Sequence, residues 1–276
     1  MIANNLEDNI MKQAVTFLTI VLALLFLSSP QAESQWTQMN GPFGGTVYCI
    51  TPVPNGLGGT NLFAGTSGNG IFRSGNGGTS WTACNSGLQN HANTVRAIVV
   101  SGPNLFAGIE GSGVFISNNN GVSWSAVNSG LTDLRVHTVV VFGTKIVAGT
   151  YGRGAFFSDN NGASWTEMNT GLGSLEIKTL AVCGTDLYAG TSNASIYKFR
   201  TSRKCSSWRQ SSNGMSTSNI IYNLTSFGTD LFAATSEGVY ISENGKPWRL
   251  RNTGIQAYQY GQGFARIGNN NIVGTA

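Results

Sequence analysis

The stretch "SNNNGVSWSAVNSGL" runs from Ser117 to Leu131. Nearly the same words stand earlier as "SGNGGTSWTACNSGL" (Ser74 to Leu88) and later as "SDNNGASWTEMNTGL" (Ser158 to Leu172). A polar, glycine-rich phrase written three times, each time with a tryptophan, marks a chain assembled from one repeated unit.

Working outward, all six tryptophans mark the unit. Trp36, Trp81, Trp124, Trp165, Trp208 and Trp248 stand 45, 43, 41, 43 and 40 residues apart. A second series keeps the same phase: "LFAGT" at Leu62, "LFAGI" at Leu105, "IVAGT" at Ile146, "LYAGT" at Leu187, "LFAAT" at Leu231 and "IVGTA" at Ile272. A third is a short β-run, "GIFRS", "GVFIS", "GAFFS", "SIYKF" and "GVYIS".

One unit reads cleanly from Thr94 to Asn128. "TVRAIVVSG" is a β-branched run, strand A. "LFAGI" is strand B, "VFIS" strand C and "SWSAV" strand D, with "GPN", "EGSG" and "NNNG" as the turns between them. The runs are short, rich in Val, Ile and Phe, and bounded by Gly, Asn and Ser. Four antiparallel strands per period of about 40–45 residues is the signature of a β-propeller blade. The quoted phrase is then the C–D turn. Its asparagines bond their own backbone, and its glycine (Gly78, Gly121, Gly162) takes a conformation that side chains resist. The tryptophan lays its apolar face on the outer strand.

The phrase resembles the Asp-box, or bacterial neuraminidase repeat, Ser-x-Asp-x-Gly-x-Ser/Thr-Trp. Asn76, Asn119 and Asn160 stand at the Asp position; "TSRKCSSW" keeps only the outline, and "SENGKPW" is one residue short. The wording is similar to that of secreted bacterial Asp-box propellers, some related to sialidases and others to the photosystem II stability and assembly factor. The resemblance implies fold more than function, because one fold serves many tasks.

Five blades read as complete, about 46–85, 93–129, 136–170, 177–212 and 218–253. A sixth has strands A and B only, between Tyr258 and Ala276, and the N-terminal "SQWTQMN" reads as a strand D without a blade. The expectation is an all-β, six-bladed propeller closed by the N-terminal strand, its last blade incomplete. Either that blade has three strands or the sequence is a fragment, the reading preferred here. Strand positions also separate Cys49 from Cys84, and Cys183 from Cys205. Strands A and D lie three steps of about 4.8 Å apart, too far for a disulfide, so four free thiols are expected.

Ahead of the repeats, "AVTFLTIVLALLFL" (Ala14 to Leu27) follows Lys12 and precedes "SSPQAES". That is the layout of a secretory signal peptide, with Met11 as a cleaner start and cleavage after Ala32; a retained membrane anchor is the alternative. Residues 1–32 are read as the signal and 33–276 as the propeller, secreted or periplasmic. Charged residues make up 10% of the chain, against a usual ~25%, and its 37 glycines are close to double the ~7% average. The 16 Lys and Arg residues read as scattered, without a block for nucleic acid.

Catalytic signals are missing. Sialidases show Phe/Tyr-Arg-Ile-Pro near the start, whereas the only Arg-Ile pair here is Arg266-Ile267 in "FARIG". His91 and His137 lie 46 residues apart without partners at metal-ligand spacing. Catalytic residues, metal and cofactor are therefore not expected. A binding face is. Aligning strands A on their terminal glycine gives a polar column, Tyr48, Arg96, His137, Lys178, Tyr222 and Gln262. Two residues on, an apolar column follows: Ile50, Ile98, Val139, Leu180, Leu224 and Phe264. The polar column falls at the mouth of the channel, and the B–C loops add Glu110, Tyr151, Arg153 and Glu237 on the same face. The reading is a monomeric, non-enzymatic scaffold for a protein or cell-surface glycan, with no nucleic-acid or stable membrane partner. A glycan-active hydrolase and an assembly factor for a membrane complex are the alternatives.

Overall fold

The structure, a computed structural model, describes residues 41–42, 45–56, 58–88, 94–201, 206–252, 261–267 and 270–275, the last two stretches as backbone alone. They belong to one compact unit, Met39–Ala276. Strands make up almost all of its regular structure. Blade 1 holds β1 (Val47–Pro54), β2 (Thr60–Thr66), β3 (Ile71–Ser74) and β4 (Thr82–Ala83). Blade 2 holds β5 (Val95–Ser101), β6 (Asn104–Ile109), β7 (Gly113–Ser117) and β8 (Ser125–Ala126). Blade 3 holds β9 (Val136–Phe142), β10 (Lys145–Thr150), β11 (Ala155–Ser158) and β12 (Thr166–Glu167). Blade 4 holds β13 (Ile177–Cys183), β14 (Asp186–Thr191), β15 (Ile196–Arg200) and β16 (Ser207–Gln210). Blade 5 holds β17 (Ile221–Phe227), β18 (Asp230–Thr235), β19 (Gly238–Ser242) and β20 (Arg249–Leu250). Each is a four-stranded antiparallel meander, and the first strands of successive blades pack side by side.

The period-2 alternation of a strand explains how one blade serves two neighbours. Along β6, Leu105, Ala107 and Ile109 turn into the core shared with blade 1, while Phe106 turns into the core shared with blade 3. The second strand of each blade is therefore buried on both faces and reads as an unbroken apolar run.

The repeated tryptophan does more than cover its own outer strand. The indole N–H of Trp124 donates to the carbonyl of Cys84 in the preceding blade (3.0 Å). Trp165 does the same to Val127 (2.7 Å), Trp208 to Met168 (2.5 Å) and Trp248 to Ser211 (2.7 Å). The acceptor always lies three residues after the preceding tryptophan, so each of blades 2 to 5 is riveted to the one before it. The turn phrase holds itself: Ser117 Oγ donates to Asn119 Oδ1 (2.9 Å), the Gly121 N–H donates to Ser117 Oγ (2.9 Å) and the Ser123 N–H to Asn119 Oδ1 (2.9 Å). Gly121 has φ +80°, and a Cβ there would sit 2.4 Å from the Phe63 ring of blade 1. The turn is thus also a packing surface.

One sequence expectation changes. The blades are five, not six: the last repeat contributes only a two-stranded sheet, β21 (Gly261–Ile267) with β22 (Asn270–Thr275). Its sequence supplies two β-runs where a blade needs four, and the N-terminal stretch assigned as its outer strand lies outside the described residues, as does the signal segment. Among the described residues, the leading face of blade 1 is exposed. Ile50 is 56% exposed where Ile98, Val139, Leu180 and Leu224 are at most 4%, and the buried Trp81 indole N–H has no partner among the described residues. Cys49, Cys84 and Cys183 are free thiols; Cys205 lies outside the described residues. Burial pushes the Cys49 thiol up to about 11 and that of Cys84 to about 12, so both stay protonated and unreactive. Among the described residues no helix is long and apolar enough to cross a membrane.

Candidate functional site

The polar column has a backbone cause. In every first strand the ladder slips by one residue at that position: between Val47 and Cys49, Val95 and Ala97, Ile177 and Thr179, Ile221 and Asn223, and Gly261 and Gly263. In blade 3 the slip falls opposite Gly149 and Thr150, with Val136 and Thr138 paired and His137 left out. The skipped residues are Tyr48, Arg96, Lys178, Tyr222, Gln262 and His137. A β-bulge leaves one residue unpaired and re-aims its side chain, and here it does so once per repeat.

Four blades bring these residues together in two neighbouring sets. The Arg96 guanidinium lies 4.1 Å from the centroid of the Tyr48 ring and donates through Nε (2.9 Å) and an Nη (2.6 Å) to Glu110 Oε2. His137 meets Tyr151 edge to face at 5.3 Å. The Tyr151 ring also carries Arg135 at 4.7 Å and Lys178 at 5.5 Å. Lys178 is paired with Glu176 at 2.5 Å, and Arg135 with Asp133 at 2.9 Å. The result is two tyrosines, 41% and 42% exposed, each flanked by cations whose charge a carboxylate balances. Exposed cation–π contacts contribute about 0.5–1 kcal/mol each, enough to hold the rings in place.

His137 sits amid this set. Burial, with help from Arg96 and Lys178, holds its pKa below the usual histidine value against the opposing pull of Glu110 and Glu176. It is neutral at pH 7. Asp133 and Glu176 are held below the ordinary carboxylate range: burial alone would raise them, but hydrogen bonds, foremost from Arg135 and Lys178 respectively, outweigh it. They are ionised, and neither is poised as a proton donor.

The other candidates stand apart. Glu237 accepts from Asn219 (3.1 Å) and the Tyr240 hydroxyl (2.8 Å), which ties it into its own loop. Tyr222 is half-buried on β17, and Arg153 is exposed with no ion pair among the described residues. Gln262 lies on β21 and its side chain is outside the described residues. Sequence reasoning missed Asp133, Arg135 and Glu176. They precede strand A rather than lie on it, so an alignment confined to strands passed over them; the acid–x–cation spacing of Asp133/Arg135 and Glu176/Lys178 was the available signal.

No protein-family model and no curated protein matches the sequence. Solved structures do. The extracellular domain of BT4673 from B. thetaiotaomicron matches with a TM-score of 0.66 at 19% identity, over 88% of this chain and 33% of that one. YCF48 bound to D1 peptide matches with a TM-score of 0.66 at 13% identity, over 87% and 77%. An ancestral GH74 enzyme matches with a TM-score of 0.62 at 20% identity, over 82% and 34%. The chain thus spans about a third of the length of the first and last of these. The extracellular domain of a one component system, a peptide-bound protein and an enzyme share little besides architecture, and that architecture agrees with the repeat: the chain is a β-propeller, consistent with BNR-like propeller proteins.

Proposed function

We propose that the chain is a non-enzymatic binding module, acting outside the cytoplasm, whose bulge-presented face takes an extended polypeptide segment. The observation that carries this reading is the pair of exposed tyrosines, Tyr48 and Tyr151, braced by Arg96, Arg135, His137 and Lys178. Tyr and Arg are the side chains that most often anchor interfaces, and rings already braced lose little freedom on binding. A hydrolase would need a carboxyl free to donate a proton. Glu110, Asp133 and Glu176 are each engaged by a cation instead. YCF48, of the same fold, is recorded with a bound peptide, which supports a polypeptide partner.

The test is selection of random dodecapeptides on the immobilised protein, followed by affinity measurement on variants. Tyr48→Ala and Tyr151→Ala should each weaken selected peptides by about tenfold or more, the cost of about 1.4 kcal/mol that an interface anchor exceeds. Peptides that bind both variants as tightly as the parent would place the partner elsewhere and sink the reading.

A further inference from the structure

Residues 187–229 contain no Asp or Glu, yet five of the chain's 16 cations, Lys198, Arg200, Arg203, Lys204 and Arg209, fall within them. The five cations fall on the outer hairpin of blade 4, β15 and β16, the blade whose turn departs furthest from the repeated phrase. Arg203 and Lys204 lie outside the described residues. The other three share one face. Lys198 and Arg200 lie on the same face of β15 as Ile196, which packs toward blade 5, and Arg209 on β16 is the direct cross-strand partner of Lys198. Like charges placed opposite each other destabilise a sheet. Only Lys198 has a carboxylate, Asp186 at 2.5 Å; Arg200 and Arg209 have none among the described residues. The three cations line a groove of about 500 Å³ together with Gln210 and Ser211. The corresponding groove of blade 1 has a lone cation, Arg73, and Thr82 where blade 4 has Arg209.

We infer that this groove is a second binding site, for an anionic saccharide bearing sulfate, phosphate or carboxylate groups. Two guanidinium forks without a carboxylate among the described residues match such oxyanions in bidentate geometry, and the amide and hydroxyl beside them suit a hydroxyl-rich ligand. Nucleic acid is disfavoured because the hairpin's rings are not free to stack on bases: Phe199 and Trp208 lie against each other at 5.1 Å, with Trp208 buried. A lipid surface is disfavoured because the groove is lined by polar and charged side chains alone, with nothing to insert. The site is separate from the tyrosine face and stands whether or not that face binds a peptide.

Titration with dextran sulfate tests it. The parent should bind it, more weakly as salt rises, and should not bind neutral dextran. Arg200→Gln/Arg209→Gln should raise Kd at least tenfold, Arg200→Lys/Arg209→Lys by a smaller factor, and Arg73→Gln by less than twofold. Because the glutamines relieve a like-charge contact, the double variant should melt no lower than the parent, so a loss of binding is not a loss of fold. An unchanged Kd in the glutamine variant overturns the site. Equal affinity for a single-stranded oligonucleotide of the same charge overturns the saccharide assignment, as does full displacement by inorganic sulfate at matched sulfate concentration.

Discussion

Blade 2 and blade 4 solve one packing problem with different amounts of the repeated phrase. Blade 2 has all of it. Its turn locks through Ser117 and Asn119, and Asn128 then latches the outer strand to the B–C loop, accepting from the Val114 N–H (2.7 Å) and donating to the Ser112 carbonyl (2.9 Å). Blade 4 has "TSRKCSSW" for the turn, Ser212 where blade 2 has Asn128, and Ser195 where blade 2 has Gly113. The last two exchanges are coupled: a Cβ on Gly113 would lie 2.3 Å from Asn128 Oδ1, so the serine and the asparagine exclude each other. A polar cavity of about 340 Å³ opens at that place in blade 4, lined in part by Ser195, Gln210 and Ser212. What the blades share is the tryptophan, 2% exposed in both, and its rivet to the preceding blade. The difference separates what the fold requires from what merely stiffens it: apolar alternation and the rivet are kept, and the turn chemistry can be exchanged for a row of cations.

If that division is right, removing the rivet should be costly in either blade. Trp124→Ala and Trp208→Ala should each destabilise by ~3–5 kcal/mol, the range for truncating a buried aromatic side chain. Urea denaturation of the two variants checks this. A Trp208 variant that loses less than half of what the Trp124 variant loses would mean that blade 4 relies on something other than its tryptophan.

The latch should be costly only where it exists. Asn128→Ala strands the buried Val114 N–H and should cost ~1–3 kcal/mol. Ser212→Ala in blade 4 should stay within about 0.5 kcal/mol. The comparison sharpens with a repair: Ser212→Asn alone should destabilise blade 4 by crowding Ser195, and adding Ser195→Gly should recover the loss, a coupling read from a double-mutant cycle.

These contrasts show how far the sequence could be read. Strand order and blade limits were legible because three motif series run in phase, and the polar column was legible once strands A were aligned on their terminal glycine. The reason for the column was not, since a one-residue bulge leaves no composition signal. The tryptophan's partner was illegible for a related reason: it is a backbone carbonyl about 40 residues earlier, and a carbonyl has no residue identity. Blade number failed because an incomplete repeat, two strands with an outer strand borrowed from the N-terminal stretch, was counted as a blade, whereas the described residues show those two strands as a two-stranded sheet alone. The basic hairpin went unnoticed because its cations were weighed against the whole chain rather than against the 43 residues around them that lack any acid.

The smallest expected effect separates the tyrosine face from the basic hairpin by pH. The former holds His137, whose pKa burial and neighbouring cations depress; the described part of the latter holds no histidine. A depressed folded pKa means that the unfolded chain binds the proton first. The associated stability is therefore fully present above the ordinary histidine value of about 6.5 and is lost as pH falls from there through the lower folded value. A second loss follows below about 4, as Asp133 and Glu176, both depressed, take up protons. His137→Gln should abolish the first loss and leave the second, seen as a melting temperature that no longer declines between pH 7 and pH 5. Peptide binding at the tyrosine face should weaken over the same interval for cationic peptides, because a fourth positive charge joins Arg96, Arg135 and Lys178. Binding of dextran sulfate to blade 4 should change less over that interval, and a matching change at both sites would show that they are not independent.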